Sequence, residues 1–169
     1  GVSKARNFGA IKSSGDILIF LDADVIFPKL NDINLGDNAA LISYTRCSAD
    51  SPLIRLYIKI ESFFIKHLTQ LAVYFYARCD ALIVRRDAFL KAGMFNEEIN
   101  MMEVTELLLR LSKIGKIGVL PVPVQETGRR FKKSGIVSRY CFKWWRNLVS
   151  FYLTGKPFKN YHEEFGVVR

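Results

Sequence analysis

The chain has 169 residues, half of them hydrophobic, which suffices for one domain with a sizeable core and excludes a disordered polymer. Twenty-five Lys and Arg against sixteen Asp and Glu leave a net charge of +9, which suits a phosphate-bearing partner or an anionic membrane surface without choosing between them. Three cysteines, Cys47, Cys79 and Cys141, are odd in number and lack metal-ligand spacing, so they read as core thiols of a reducing compartment rather than a disulfide framework.

No charged, apolar and small-residue series of the secretory kind opens the sequence. Residues 5–12 (ARNFGAIK) predict a short helix that stops at the Ser13-Ser14-Gly15 breaker. The run GDILIFLDAD follows: an apolar strand over 17–21 that ends in two carboxylates, Asp22 and Asp24, one residue apart. Continued as a strand, it would aim both at one place, and like charges so placed repel unless a cation sits between them. A polar strand end turning into a loop is the alternative.

Pro28 and NDINLGDN mark a surface loop, and 39–45 predicts a second strand. Leu53, Leu56, Tyr57, Ile60, Phe63, Phe64, Leu68 and Leu71 recur at helical spacing and predict a long helix with a broad apolar face. Arg55, Lys59, Glu61 and Lys66 interrupt it, so a buried-face helix is expected rather than a membrane span, with His67 on its surface. CDALIVRRDAF predicts a strand running directly into a short helix that Gly93 closes. Asn100 is the expected cap of the helix MMEVTELLLRLSKIG, and short apolar segments at 117–120 and 122–125 follow. Alternating strands and helices predict an α/β layered fold in a water-soluble domain.

Five ordered segments, Ala5-Arg6-Asn7, GDILIFLDAD, LIVRRDAFLKAGMFNEE, EVTELLLRLSKIGKIGVLP and VQETGRRFKKSG, resemble the later part of the catalytic domain of glycosyltransferase family 2, the nucleotide-sugar-dependent enzymes of the GT-A fold. The resemblance implies an α/β, GT-A-like layered sheet flanked by helices, with residues 1–131 as the C-terminal portion of the catalytic domain and 132–169 as a basic, aromatic helix and tail packed on it. It implies inverting transfer of a sugar from a nucleotide-diphosphate donor to a hydroxyl acceptor, lipid-linked or saccharide. Asp22 and Asp24 would hold Mg²⁺ or Mn²⁺ against the diphosphate, with Asp22 also near the ribose. Arg6, Asn7, Arg129 and Arg130 would lie along the nucleotide sugar, and Arg85 and Arg86 on the acceptor side. Asp87 has a competing reading as a helix cap. Earlier strands precede these motifs in the family, so the expected sheet lacks its N-terminal strands and has an open edge for a partner chain or a second copy.

Inverting transfer needs a carboxylate to take the acceptor proton. The family places an aspartate after a glutamate at a helix start, and here the pair is Glu103-Val104. Glu103, or Glu106 one turn on, is therefore the candidate base, with a capping box and an i,i+4 pair to Arg110 as their structural competitors. The alternative function is a catalytically inactive domain that binds nucleotide, a membrane surface or a partner.

From residue 127 to 162 there is no acidic residue, and aromatic and basic side chains interleave along 136–153. Such a helix suits either core packing or a peripheral contact with the inner face of a membrane from the cytoplasm. No signature of nucleic-acid binding is present, and none is expected.

Overall fold

The computed structural model describes residues 1–29, 33–47, 51–75, 80–126 and 137–159, the side chains of Cys47, Phe75, Glu126 and residues 137–141 excepted. Helix α1 (Val2–Lys12) begins three residues earlier than the ARNFGAIK pattern suggests and leads into β1 (Ile17–Leu21). Then come β2 (Val25–Ile26), β3 (Asn38–Ile42), β4 (Thr45–Cys47), α2 (Pro52–His67) and α3 (Thr69–Phe75). The second half contains β5 (Ala81–Arg85), α4 (Arg86–Lys91), α5 (Glu103–Leu111), β6 (Lys116–Val119), β7 (Val124–Glu126) and α6 (Val137–Thr154).

The result is mixed α/β, as the alternating pattern predicts. A four-stranded sheet has the order β1-β5-β3-β6, and a three-stranded sheet the order β2-β7-β4. In the first, β5 is antiparallel to both β1 and β3, while β3 and β6 run parallel. The single strand expected over 39–45 is in fact two strands, one in each sheet, because the chain leaves the first ladder at Ser43 and joins β7 from Thr45.

Alternation along the strands sorts side chains to two layers. On one face Leu18, Ala40, Ile42, Leu82, Val84 and Ile117 pack with Phe89, Phe95, Leu107, Leu108 and Leu111 from the α4–α5 region, and with Ile65 and Val73 from α2 and α3. On the other, Leu41, Ala81 and Ile83 meet Leu35, Leu120 and Val124. Gly118 stands opposite Leu41 in the β3–β6 ladder, and a Cβ there would come within 2.6 Å of Leu41 Cδ2 and 2.9 Å of the Asn38 amide, so a larger residue would have to displace both side chains.

Among the described residues β1 is an edge strand. The bonds Asp22 N–H to Asp80 O and Arg86 N–H to Asp16 O set the alternation, so the odd residues Ile17, Ile19 and Leu21 direct their backbone groups away from β5. Their side chains are exposed on the second face, and a groove of about 410 Å³ runs between this strand and α1. Among the described residues no strand pairs with the outer side of β1, so its backbone groups there form an open edge.

The apolar helix expected across 53–71 breaks at Leu68, where α2 ends and α3 begins. Gly93 closes α4 as expected, in the left-handed region at φ 83°, with its N–H bonded to Leu90 O at 2.9 Å. The capping expectation for the next helix is corrected: Met102, not Asn100, is the N-cap of α5, at φ 67°, and no side chain caps it. The Glu103 carboxylate that a capping box would require is turned to a different partner.

Candidate functional site

At the end of β1 the backbone turns back, with Val25 N–H bonded to Asp22 O at 3.3 Å, and Ala23 and Asp24 form the turn. Asp22 and Asp24 therefore do not continue a strand; they flank a tight reversal, as the loop alternative to a continued strand requires. The Asp22 amide remains in the ladder through Asp80 O at 3.1 Å, so its position is fixed by the sheet.

The Asp22 carboxylate faces the Arg6 guanidinium. Arg6 Nη2 donates to Asp22 Oδ1 at 2.7 Å, and Arg6 Nη1 donates to Glu103 Oε1 at 3.1 Å. One planar cation thus joins helix α1, the turn after β1 and the first turn of α5, segments separated by 16 and 97 residues in sequence. All three side chains are mostly but not fully covered, at 15% exposure for Arg6 and about 20% for the carboxylates, so water reaches them. The guanidinium offsets the repulsion that Asp22 and Glu103 would otherwise feel, and its fork geometry suits two carboxylates on different sides.

A layer of tilted and edge-to-face aromatic rings supports this cation. Phe20, Phe89 and Phe95 have ring centroids 5.1–5.6 Å apart, and the Arg6 guanidinium lies 5.3 Å from the Phe95 ring centre. Phe95 is held in turn by Asn7: its N–H donates to Asn7 Oδ1 at 3.0 Å, and Asn7 Nδ2 donates to Phe95 O and Glu97 Oε1, each at 2.9 Å. Asn7 is 3% exposed, so its amide is wholly occupied in joining α1 to the loop after α4. Asn7, expected along the nucleotide sugar, positions the residue on which Arg6 rests.

Glu103 and Glu106 have different surroundings. Glu106 is engaged bidentately by Arg110, whose guanidinium also donates to Ala92 O and Met94 O and so pins the end of α4 to α5. Glu103 instead faces Asp22 across Arg6. Val104, the residue after Glu103, packs its half-buried side chain against the core.

Arg85 and Arg86 are not brought to this place. In the β1–β5 register Arg85 pairs with Ile17 and Ala81 with Leu21, so both arginines lie at the end of the sheet opposite Asp22. Arg85 donates to Gly36 O and Asn38 O, and Arg86 donates to Ala10 O, Gly15 O and Ser13 Oγ, bonds that fix the α1–β1 corner. The Asp87 carboxylate accepts the Ala88 N–H at 2.8 Å within the first turn of α4, in keeping with its reading as a cap. Arg129 and Arg130 lie outside the described residues.

Two contributors escaped the sequence reading. Phe95 gave no signal beyond its place in the GMFNEE segment. Asp80 is 2% exposed; its carbonyl receives the Asp22 N–H and its carboxylate accepts the Thr45 hydroxyl at 2.7 Å, so it ties β4 to the base of the turn. An aspartate directly before an apolar strand was the available signal.

For a divalent cation, Asp22 and Asp24 offer hard oxygen donors on one turn, which fits Mg²⁺ or Mn²⁺, ions that take one or two carboxylates and complete their shell with water and phosphate oxygens. Among the described residues no group of three or more His, Cys, Asp or Glu side chains gathers as a metal cage. Comparison with known proteins returns no matching family model, no matching curated protein and no matching solved structure.

Proposed function

We propose that the chain carries the donor side of a glycosyltransferase, which moves a sugar from a nucleotide diphosphate to a hydroxyl acceptor with inversion. The observation that carries this reading is the Arg6 bridge: three residues singled out by separate motifs, Arg6, Asp22 and Glu103, meet at the carboxyl end of β1. In layered α/β sheets that is where ligands collect. A bound Mg²⁺ or Mn²⁺ would neutralise charge building up on the diphosphate leaving group. Asp22 and Asp24 would orient the diphosphate end of the donor, and Arg6 would bind its phosphate oxygens as it exchanges partners.

Glu103 is the proton acceptor in this scheme. The acceptor oxygen attacks the anomeric carbon, the bond from that carbon to the diphosphate oxygen breaks, and the hydroxyl proton passes to Glu103. Water is kept from the far side of Arg6 by the Phe20–Phe89–Phe95 layer, which leaves approach from the open side. A second reading, a domain that binds nucleotide without transfer, is favoured by Val104, whose side chain is committed to packing and offers no oxygen.

Calorimetric titration of UDP and GDP, with and without Mn²⁺, tests the donor site. Metal-dependent binding that weakens at least about tenfold in Asp24→Ala is expected; absence of binding in both proteins would remove the proposal. Glu103→Gln then separates the two readings. It should lower transfer about 100-fold or more while nucleotide affinity holds, whereas an equally inactive parent chain would leave only the binding domain.

A further inference from the structure

Helix α2 has three sides where an ordinary surface helix has two. At roughly 100° per residue, Ile54, Ile58, Glu61 and Ile65 form the row buried against the sheet. Arg55, Lys59 and Lys66 form a second, basic row on the exposed side. Leu53, Leu56, Ile60, Phe63 and Phe64 form a third row that is apolar yet exposed, with Ile60 at 51% and Phe63 at 57%. Core packing therefore accounts for only one of the two apolar rows.

Helix α6 repeats the arrangement at the same spacing. Phe142, Trp145, Val149, Tyr152 and Leu153 are all exposed, Leu153 at 79%, while Leu148 and Phe151 pack inward with Met101 and Met102. The helices that carry the two rows are linked through α3: the Tyr152 hydroxyl donates to Tyr74 O at its end, and Leu71 and Tyr74 on α3 are exposed as well. Arg146 stacks on Phe142 and Phe158, at 5.9 and 4.5 Å from the ring centres, so its charge sits within this apolar surface.

The charge on this surface has one sign. Across α2, α3 and α6 the acidic residues are Glu61 alone, and Glu61 is 6% exposed on the buried row. A protein partner would have to cover a wide aromatic and aliphatic face while meeting only cations. An anionic bilayer does both, since acyl chains receive the apolar row and headgroup phosphates meet the flanking Lys and Arg, whose stems lie along it. No helix among the described residues is long and apolar enough to cross a membrane, so the contact is one of lying on the surface.

We propose that the exposed rows of α2 and α6 form one docking surface for an anionic phospholipid membrane. The inference does not rest on the transferase reading; it extends to α2 and α3 a surface that the sequence suggested only for the final helix.

The test is flotation of the full chain with vesicles of phosphatidylglycerol and phosphatidylcholine, against phosphatidylcholine alone, in low salt and about 0.5 M salt. The double variant Ile60→Asp/Phe63→Asp and the single variant Leu153→Asp are run beside it, with circular dichroism to verify folding, which the exposure of these residues should preserve. Expected are at least about tenfold greater recovery with the anionic vesicles, a blue shift of Trp145 emission that Trp145→Phe removes, partial retention in high salt, and loss in both charge-introducing variants. Recovery that is equal in folded variants and parent would overturn the proposal, since another surface would be responsible. So would complete loss in high salt without a spectral shift, which marks adhesion by net charge alone, or self-association abolished by the same variants with no vesicle binding.

Discussion

Asn7 shows how a single amide can set a site it does not line. Two of its three hydrogen bonds satisfy the N–H and the C=O of Phe95, the third goes to Glu97, and Phe95 carries the Arg6 guanidinium on its ring. Asn7→Ala would strand two backbone groups in a buried position, each with a desolvation cost of about 1–3 kcal/mol. Urea denaturation should show a loss of about 2–4 kcal/mol; a loss under about 0.5 kcal/mol would mean that water replaces the amide. Asn7→Asp retains the acceptor but neither donor and sets a second carboxylate beside Glu97, so it should fall in the same range. The sequence made Arg6-Asn7 conspicuous as a pair, but not the division of labour within it. That division depends on Asn7 facing Phe95 and Arg6 facing Asp22 and Glu103, contacts spanning up to 97 residues that local pattern does not encode.

Among the elements, the helices were the most legible and their faces the least. Apolar recurrence marked α2 plainly, yet it could not tell which of two apolar rows the sheet would cover, since Ile54, Ile58 and Ile65 differ little in character from Leu53, Leu56 and Ile60. The same limit applies to the arginines at the end of β5 and the start of α4. Arg85 and Arg86 were placed by their motif, whereas the antiparallel β1–β5 register carries them to the far end of the sheet. At the junction of α3 and α6, burial raises the Tyr152 phenol above its ordinary value of 10.0, and Tyr74 adds to the shift. The folded chain thus holds this proton more tightly than the unfolded chain. Its contribution is intact below about pH 10 and is lost as pH rises through the folded value. Thermal melts from about pH 8 to 11 should show parent stability falling more steeply than that of Tyr152→Phe above pH 10; parallel curves would place the phenol in water.

For the whole molecule, composition and alternation were enough for the α/β class, while the exposed edge at Ile17, Ile19 and Leu21 is read from the strand order. The partition into two sheets was not visible, because Ser43 and Tyr44 carry no breaker and only their pairing shows where one ladder stops and the next begins. The strand orders also bear on how the chain reaches this state. Among the described residues no strand pairs with the one next to it in sequence: Leu21 meets Ala81, Val25 meets Glu126 and Thr45 meets Val124. Every ladder must therefore close a long loop before any contact rewards it, and topologies of this kind fold in milliseconds to seconds rather than microseconds. Stopped-flow refolding should be slow in this sense, and α1–β4 alone should not acquire cooperative structure. On a ribosome the carboxylates of the Asp22 turn would emerge early and wait, their ladder unmade, until the residues of β5 and then of β7 had followed them out.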